Sequence, residues 1–152
     1  MSDTTTAPPA ADAATQAALE RLNTVIDRLI APDGCPWDST QTPESLTEYV
    51  IEECHELVDA IRSGKTADMV EELGDVAFLI LMIGKLMARA GGPSLADALE
   101  VEAAKMVRRH PHVFSDTTYE NQSEQLKDWD RIKREEKAAA DAEGPKGTYD
   151  SL

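Results

Sequence analysis

Apolar residues along the chain recur at the spacing of helix faces, and no stretch alternates as a half-buried strand does. Leu19, Leu22, Val25, Ile26, Leu29 and Ile30 mark a first amphipathic helix, which stops where Pro32, Asp33 and Gly34 supply turn chemistry. A loop reading CPWDSTQT follows. Thr42 is then placed to cap a second helix with Pro43 at its first position, and Leu46, Val50, Cys54, Leu57 and Ile61 predict its buried stripe. Ser63 and Gly64 end it. A third helix is predicted from about Thr66 to about Ala90, closed by Gly91 and Gly92. Every residue from Val76 to Ile83 is apolar, so this stretch needs cover on all sides. A short chain has few helices to provide it, and a second subunit is the expected source.

Ser94 with Asp97 reads as a capping box for a fourth helix carrying Leu95, Leu99, Met106 and Val107, which Pro111 prevents from continuing. The HPHVF segment reads as a turn. Ser123 is the expected cap of a last helix with Leu126, Trp129 and Ile132 on one side and a solvated, charged RIKREEK end. The pattern therefore predicts an all-α fold, a bundle of about five helices over residues 16–137, completed by dimerisation. The Ala/Thr/Pro/Asp-rich start, residues 1–15, and the Ala/Gly/Lys/Asp-rich end, residues 138–152, are expected to be disordered tails. No repeat of solenoid length occurs.

Composition narrows the function. The 152 residues suit one domain, and 41% hydrophobic with 5% aromatic residues fits helices better than sheets. A formal charge of −14 argues against a nucleic-acid binder, because phosphate backbones reward a basic face. Acidity suits hard cations instead. Cys35 and Cys54 have no CxxC spacing, which points to reduced thiols and a cytoplasmic setting. The apolar run at Val76–Ile83 is too short to span a bilayer, and no leader is read at the N-terminus.

The carboxylates carry the chemistry. Glu52, Glu53 and Glu56 fall on the second helix, and Glu71, Glu72 and Asp75 on the third. Residues three apart share a helix face, so Glu53 pairs with Glu56 and Glu72 with Asp75. The turn at Gly64 is short enough to make the two helices antiparallel neighbours, which would bring four carboxylates together. Such a cluster is costly unless a cation neutralises it or protons are taken up. Magnesium is the expected ion, with manganese as its substitute, because it takes hard oxygen ligands and leaves positions for water and phosphates. A single ExxE would read as a solvated acidic face; two of them beside buried stripes favour a metal. Glu52 and His55 have the ExxH spacing of di-iron bundles, but no second ExxH exists, and His55 reads as a surface or supporting residue.

Lys105 and Arg109 lie four apart on one face of the fourth helix, with Arg108 beside them. Two readings stand for this pair: a clamp on phosphate oxygens, or ordinary positive charge at a helix C-terminus. Trp37, in a loop next to Asp38, is the better candidate for stacking on a base beside a hydrogen-bond acceptor, whereas Trp129 reads as packing.

The segments GCPWDSTQT at Gly34–Thr42, EECHE at Glu52–Glu56, EELGD at Glu71–Asp75 and RRHPHVF at Arg108–Phe114 resemble, in order, those of the MazG nucleoside triphosphate pyrophosphohydrolases. The resemblance covers about Leu22 to Lys137. It implies magnesium ligation by Glu53, Glu56, Glu72 and Asp75, a supporting role for Glu52, and triphosphate contacts from Lys105 and Arg109. It also implies an all-α dimer, or a tetramer, cleaving nucleoside triphosphates to monophosphate and pyrophosphate in nucleotide-pool house-cleaning. Many relatives carry tandem domains where one is expected here. In the expected reaction, magnesium provides an acidified water for in-line attack, Glu52 or Glu53 orients or deprotonates that water, and Lys105 and Arg109 hold leaving oxygens. Two alternatives stay open: a base-selective enzyme resembling the all-α dUTP or dCTP hydrolases, and a catalytically idle helical dimer that binds a nucleotide or a partner protein.

Overall fold

A computed structural model of the chain describes residues 10–142. Helix α1 spans Ala10–Leu29, α2 Thr47–Ser63, α3 Thr66–Arg89, α4 Leu95–Arg109, α5 Pro111–Phe114 and α6 Gln122–Ala142. Single 3-10 turns at Asp38–Thr40 and Glu44–Leu46 lie in the α1–α2 connection, and no strand occurs among the described residues. The all-α expectation holds. Helix α1 starts ahead of residue 16 and α6 runs past residue 137. The outer parts of both expected tails, residues 1–9 and 143–152, lie outside the described residues. Among the described residues no helix is long and apolar enough to cross a membrane.

The chain divides into two compact units, the first ending at Leu95 and the second beginning at Ala96. The first has an apolar core of Ile26, Ile30, Leu46, Leu79, Leu81, Met82 and Leu86, with Leu22, Val50, Phe78, Ile83 and Leu95 packed around it. Thr42 closes the turn ahead of α2 and is not the cap of that helix, whose N-cap is Leu46: the Thr42 hydroxyl accepts from the Ser45 N–H at 3.3 Å, while the Ser45 hydroxyl accepts from the Thr42 N–H at 3.0 Å. The first turn is 3-10, and α2 proper begins at Thr47. Gly64 ends α2 at φ +70°, a left-handed conformation that side chains resist, and so turns the chain straight into α3.

The inward stripe of α2 differs from the one that hydrophobicity alone predicts. Leu46 and Ala60 are buried, Val50 and Leu57 half-buried, but Cys54 and Ile61 face outward. The true stripe runs through Glu53, at the same helical phase as Leu46 and Ala60. On α3 likewise, Glu72 and Asp75 continue toward the N-terminus the stripe that Leu79, Met82 and Leu86 form further on. An apolar count misplaces the face because its most informative members are acids.

Three contacts hold the end of α1 and the loop that follows it. The Cys35 N–H donates to the Leu29 carbonyl at 2.9 Å, drawing the chain back over the end of α1, and a Cβ on Gly34 would lie 2.3 Å from that same oxygen. Arg89 on α3 donates through Nη1 to the Ile30 carbonyl at 2.7 Å, and Lys85 pairs with Asp27 at 2.7 Å.

In the second unit no side chain described is fully buried. HPHVF forms one helical turn, because Pro111 suits the first position and His110 bonds through Nδ1 to the Met106 carbonyl at 2.7 Å. Helix α6 is capped by Asn121, not by Ser123 as the sequence suggested: the Asn121 side chain accepts from the Glu124 N–H at 3.0 Å, and the Glu124 carboxylate reaches back to the Glu120 N–H at 2.8 Å. Cross-links then hold α6 to the preceding segment. The Tyr119 hydroxyl donates to Asp128 at 2.7 Å, Gln125 bonds His112 at 3.1 Å, and the His110 ring stands edge-on to Trp129 with centroids 4.8 Å apart.

Candidate functional site

Antiparallel packing of α2 on α3 brings the acid pairs face to face. A carboxylate oxygen from each of Glu53, Glu56 and Glu72 lies within 4.8 Å of the other two, with Glu53 and Glu72 half-buried and Glu56 exposed. The basic residues nearest in sequence do not serve them: Arg62 pairs with Asp59 at 3.7 Å and Lys65 with Asp68 at 3.5 Å.

The electrostatics follow from that isolation. Partial desolvation pushes the Glu53 carboxyl above its ordinary range, and the charges of Asp75, Glu56 and Glu52 push it further, in that order. Glu72 is raised in the same way, by desolvation first and then by Glu56, Glu71, Glu53 and Asp75. Asp75 is outside the three-oxygen group, yet its charge acts on Glu53 more than any other carboxylate does. Oxygens of an octahedral magnesium shell lie at most about 4.2 Å apart. Three oxygens within 4.8 Å of one another are gathered on that scale. A hard divalent cation therefore suits the donor set. Glu52 is exposed beside Glu53, and His55 is exposed.

The MazG nucleotide pyrophosphohydrolase domain model matches residues 41–114. The nucleoside triphosphate pyrophosphohydrolase of Escherichia coli (strain K12) is 40% identical over 121 residues, which are 79% of this chain and 46% of that protein. The chain belongs to the MazG family. The Bacillus subtilis (strain 168) protein called uncharacterized protein YabN is 41% identical over 121 residues, 80% of this chain and 25% of the relative. A crystal structure of a mazG-related protein from Thermotoga maritima aligns with TM-score 0.64 and 29% identity, over 76% of this chain and 98% of that one. The chain thus spans between a quarter and a half of the length of these two curated relatives.

The stretch matched to the MazG model holds Glu52, Glu53, Glu56, Glu72, Asp75, Lys105 and Arg109, but Trp37 and Asp38 precede it. Asp38 is nearly buried at the start of its 3-10 turn, and Trp37 is 48% exposed with its ring perpendicular to Tyr49 at 5.6 Å. Lys105 and Arg109 lie in the second unit. There Lys105 is ion-paired with Glu102, and Arg109 with Glu136 at 2.7 Å. Glu136 belongs to the RIKREEK end expected to be solvated; instead it is mostly covered and binds both Arg108 and Arg109. Sequence carried no sign of this pairing across 27 and 28 residues, since the chain's fifteen glutamates look alike without the fold. Trp129 is packed as expected, with the Arg109 guanidinium 5.9 Å from its ring centre.

Proposed function

We propose that this MazG-family chain hydrolyses nucleoside triphosphates to monophosphate and pyrophosphate, with magnesium, or manganese in its place, held by Glu53, Glu56, Glu72 and Asp75. One observation carries the reading: three carboxylate oxygens from two helices gather within 4.8 Å, with the Glu53 and Glu72 carboxyls raised by partial desolvation and then by their neighbours' charges. Structural stability gives no reason to collect unpaired acids on the inward stripes of a helical hairpin; a divalent cation does. The names of the relatives support the phosphate chemistry.

Bound magnesium would supply charge neutralisation for the triphosphate and a more acidic water. The chain's own residues do the rest. Glu53 and Glu72 fix the ion from the two helices, and Glu52, exposed one residue before Glu53, orients or deprotonates the attacking water. Lys105 and Arg109 neutralise phosphate oxygens. The exposed Trp37 stacks on the base, Asp38 next to it is the hydrogen-bond acceptor, and the activity serves a cytoplasmic house-cleaning role.

A homodimer is part of the same reading. Ile51, Val58 and Ile61 on α2 and Val70, Leu73 and Ile80 on α3 are between 41% and 68% exposed, each set on one stripe of its helix. Large apolar residues in such numbers favour a second copy as their cover. The experiment that tests the function is an assay of purified protein against the common nucleoside triphosphates. Pyrophosphate and monophosphate should appear with magnesium and vanish with chelator, and no pyrophosphate from any triphosphate would leave the idle dimer as the better account.

A further inference from the structure

Arg108 and Arg109 are consecutive on α4, so their side chains leave the helix about 100° apart and would diverge. A single carboxylate from α6 draws them together. The Glu136 Oε2 accepts from Arg109 Nε at 2.9 Å and Nη2 at 2.7 Å, while Oε1 meets Arg108 Nε and Nη2, both at 3.1 Å. Arg109 and Glu136 side chains are each only 20% exposed, and Arg109 also rests over the Trp129 ring. The two arginines hold the Glu136 carboxyl below its usual range, Arg109 more than Arg108.

Which edge of each guanidinium is engaged decides what this clasp does. A guanidinium has five N–H donors, and its two terminal nitrogens form the fork that grips phosphate or carboxylate side by side. Glu136 takes the other side, through Nε and one hydrogen of Nη2. Among the described residues no hydrogen bond uses Nη1 of Arg109 or Arg108. Arg108, moreover, lines an open cleft of about 630 Å³. The pair keeps one net positive charge, and Nη1 of each arginine with the second hydrogen of Nη2 is left for another acceptor.

We propose that Glu136 is a positioning residue for phosphate binding: it locks Arg109, and Arg108 with it, by the inner guanidinium edge so that the terminal fork meets phosphate oxygens without first being ordered. The inference rests on the phosphate-binding role given to Arg109 above. It differs from masking, in which the carboxylate would compete with phosphate for the same nitrogens.

The test measures pyrophosphate binding by calorimetry in excess magnesium chloride, for the wild type, Glu136→Ala, Glu136→Gln, Arg109→Ala and the Glu136→Ala/Arg109→Ala double variant. Positioning predicts that Glu136→Ala weakens binding about tenfold, that Glu136→Gln, which keeps one acceptor, loses less, and that the double variant binds no worse than Arg109→Ala alone. In turnover, KM should rise more than kcat falls. Tighter binding by Glu136→Ala indicates masking and overturns the proposal. So does unchanged binding in folded Glu136→Gln and Glu136→Ala, additive losses in the double variant, or a wild type that does not bind pyrophosphate. Triphosphate cleavage by the wild type is scored separately. Cleavage without the Glu136 pattern sinks only the positioning role, whereas the pattern without cleavage sinks only the hydrolase reading.

Discussion

In the α1–α3 unit, Glu53 and Glu72 sit on inward helix stripes without a basic partner, and their carboxyls lie above the ordinary range. In the α4–α6 unit, Asp128 and Glu136 each meet an arginine, and their carboxyls lie below it. The apolar content is divided the other way. Seven buried residues form the core of the first unit, while the second buries none completely and joins its helices through Tyr119–Asp128, His112–Gln125 and the Glu136 clasp. A well-packed hairpin can hold unneutralised acids against their repulsion, because core burial outweighs it. In the loosely packed unit the partly covered acids Asp128 and Glu136 are paired with arginines. Acids left unpaired inside the stronger scaffold are the ones to associate with function.

The sharpest break of this comparison is on activity. Glu53→Ala or Glu72→Ala should lower pyrophosphate release by about a hundredfold or more with helicity unchanged by circular dichroism, since a lost ligand removes charge neutralisation and not packing. Full activity in either variant would end their assignment as ligands. For stability the order reverses. Met82→Ala, at a fully buried position, should cost about 2–5 kcal/mol in denaturant unfolding, whereas Ile132→Ala, at a half-buried position in the second unit, should cost about 1 kcal/mol. Equal costs would show that the second unit has packing the comparison denies it.

Acid titration separates the units by sign. A raised carboxyl favours the protonated fold, so the share of stability due to Glu53 and Glu72 is complete below their ordinary value of 4.5 and is lost as pH rises through the raised values. Magnesium should therefore raise Tm at neutral pH and have little effect near pH 4.5. A lowered carboxyl acts oppositely: the share due to Asp128 and Glu136 is present above their ordinary values of 3.8 and 4.5 and is lost as pH falls through the lowered ones. Thermal melts of Asp128→Asn and Glu136→Gln should show a shallower loss on the acid side. The smallest effect expected is from salt. Molar sodium chloride should lower Tm by a few degrees at most through the exposed Arg131 pairs with Asp128 and Glu135, and less in Asp128→Asn.

The five longer helices, the turn at Gly64 and the pairing of Glu53 with Glu56 and Glu72 with Asp75 on their helix faces were legible because each depends on residues within one or two helical turns, whereas the short helix at Pro111–Phe114 was read as a turn. The inward stripe of α2 was not legible. Cys54 and Ile61 look like core in an apolar pattern, yet Glu53 and Ala60 share the phase that faces α3, and an acid on a core face contradicts the rule that finds core faces. Asn121 was passed over for Ser123 because both are good caps two residues apart, and only the backbone path chooses between them.

By itself the amino-acid order determined the all-α character, the antiparallel hairpin of α2 and α3 and the identity of the acids placed on it, since periodicity, glycine and proline act locally. Tertiary structure alone decided that three of those carboxylates converge while Asp75 acts by its charge on Glu53 and Glu72. It also decided that Glu136, 27 residues from Arg109, closes on two arginines by their inner edges. Distances between side chains on different helices depend on how the helices roll against each other, and that roll is set by the packing of all of them together.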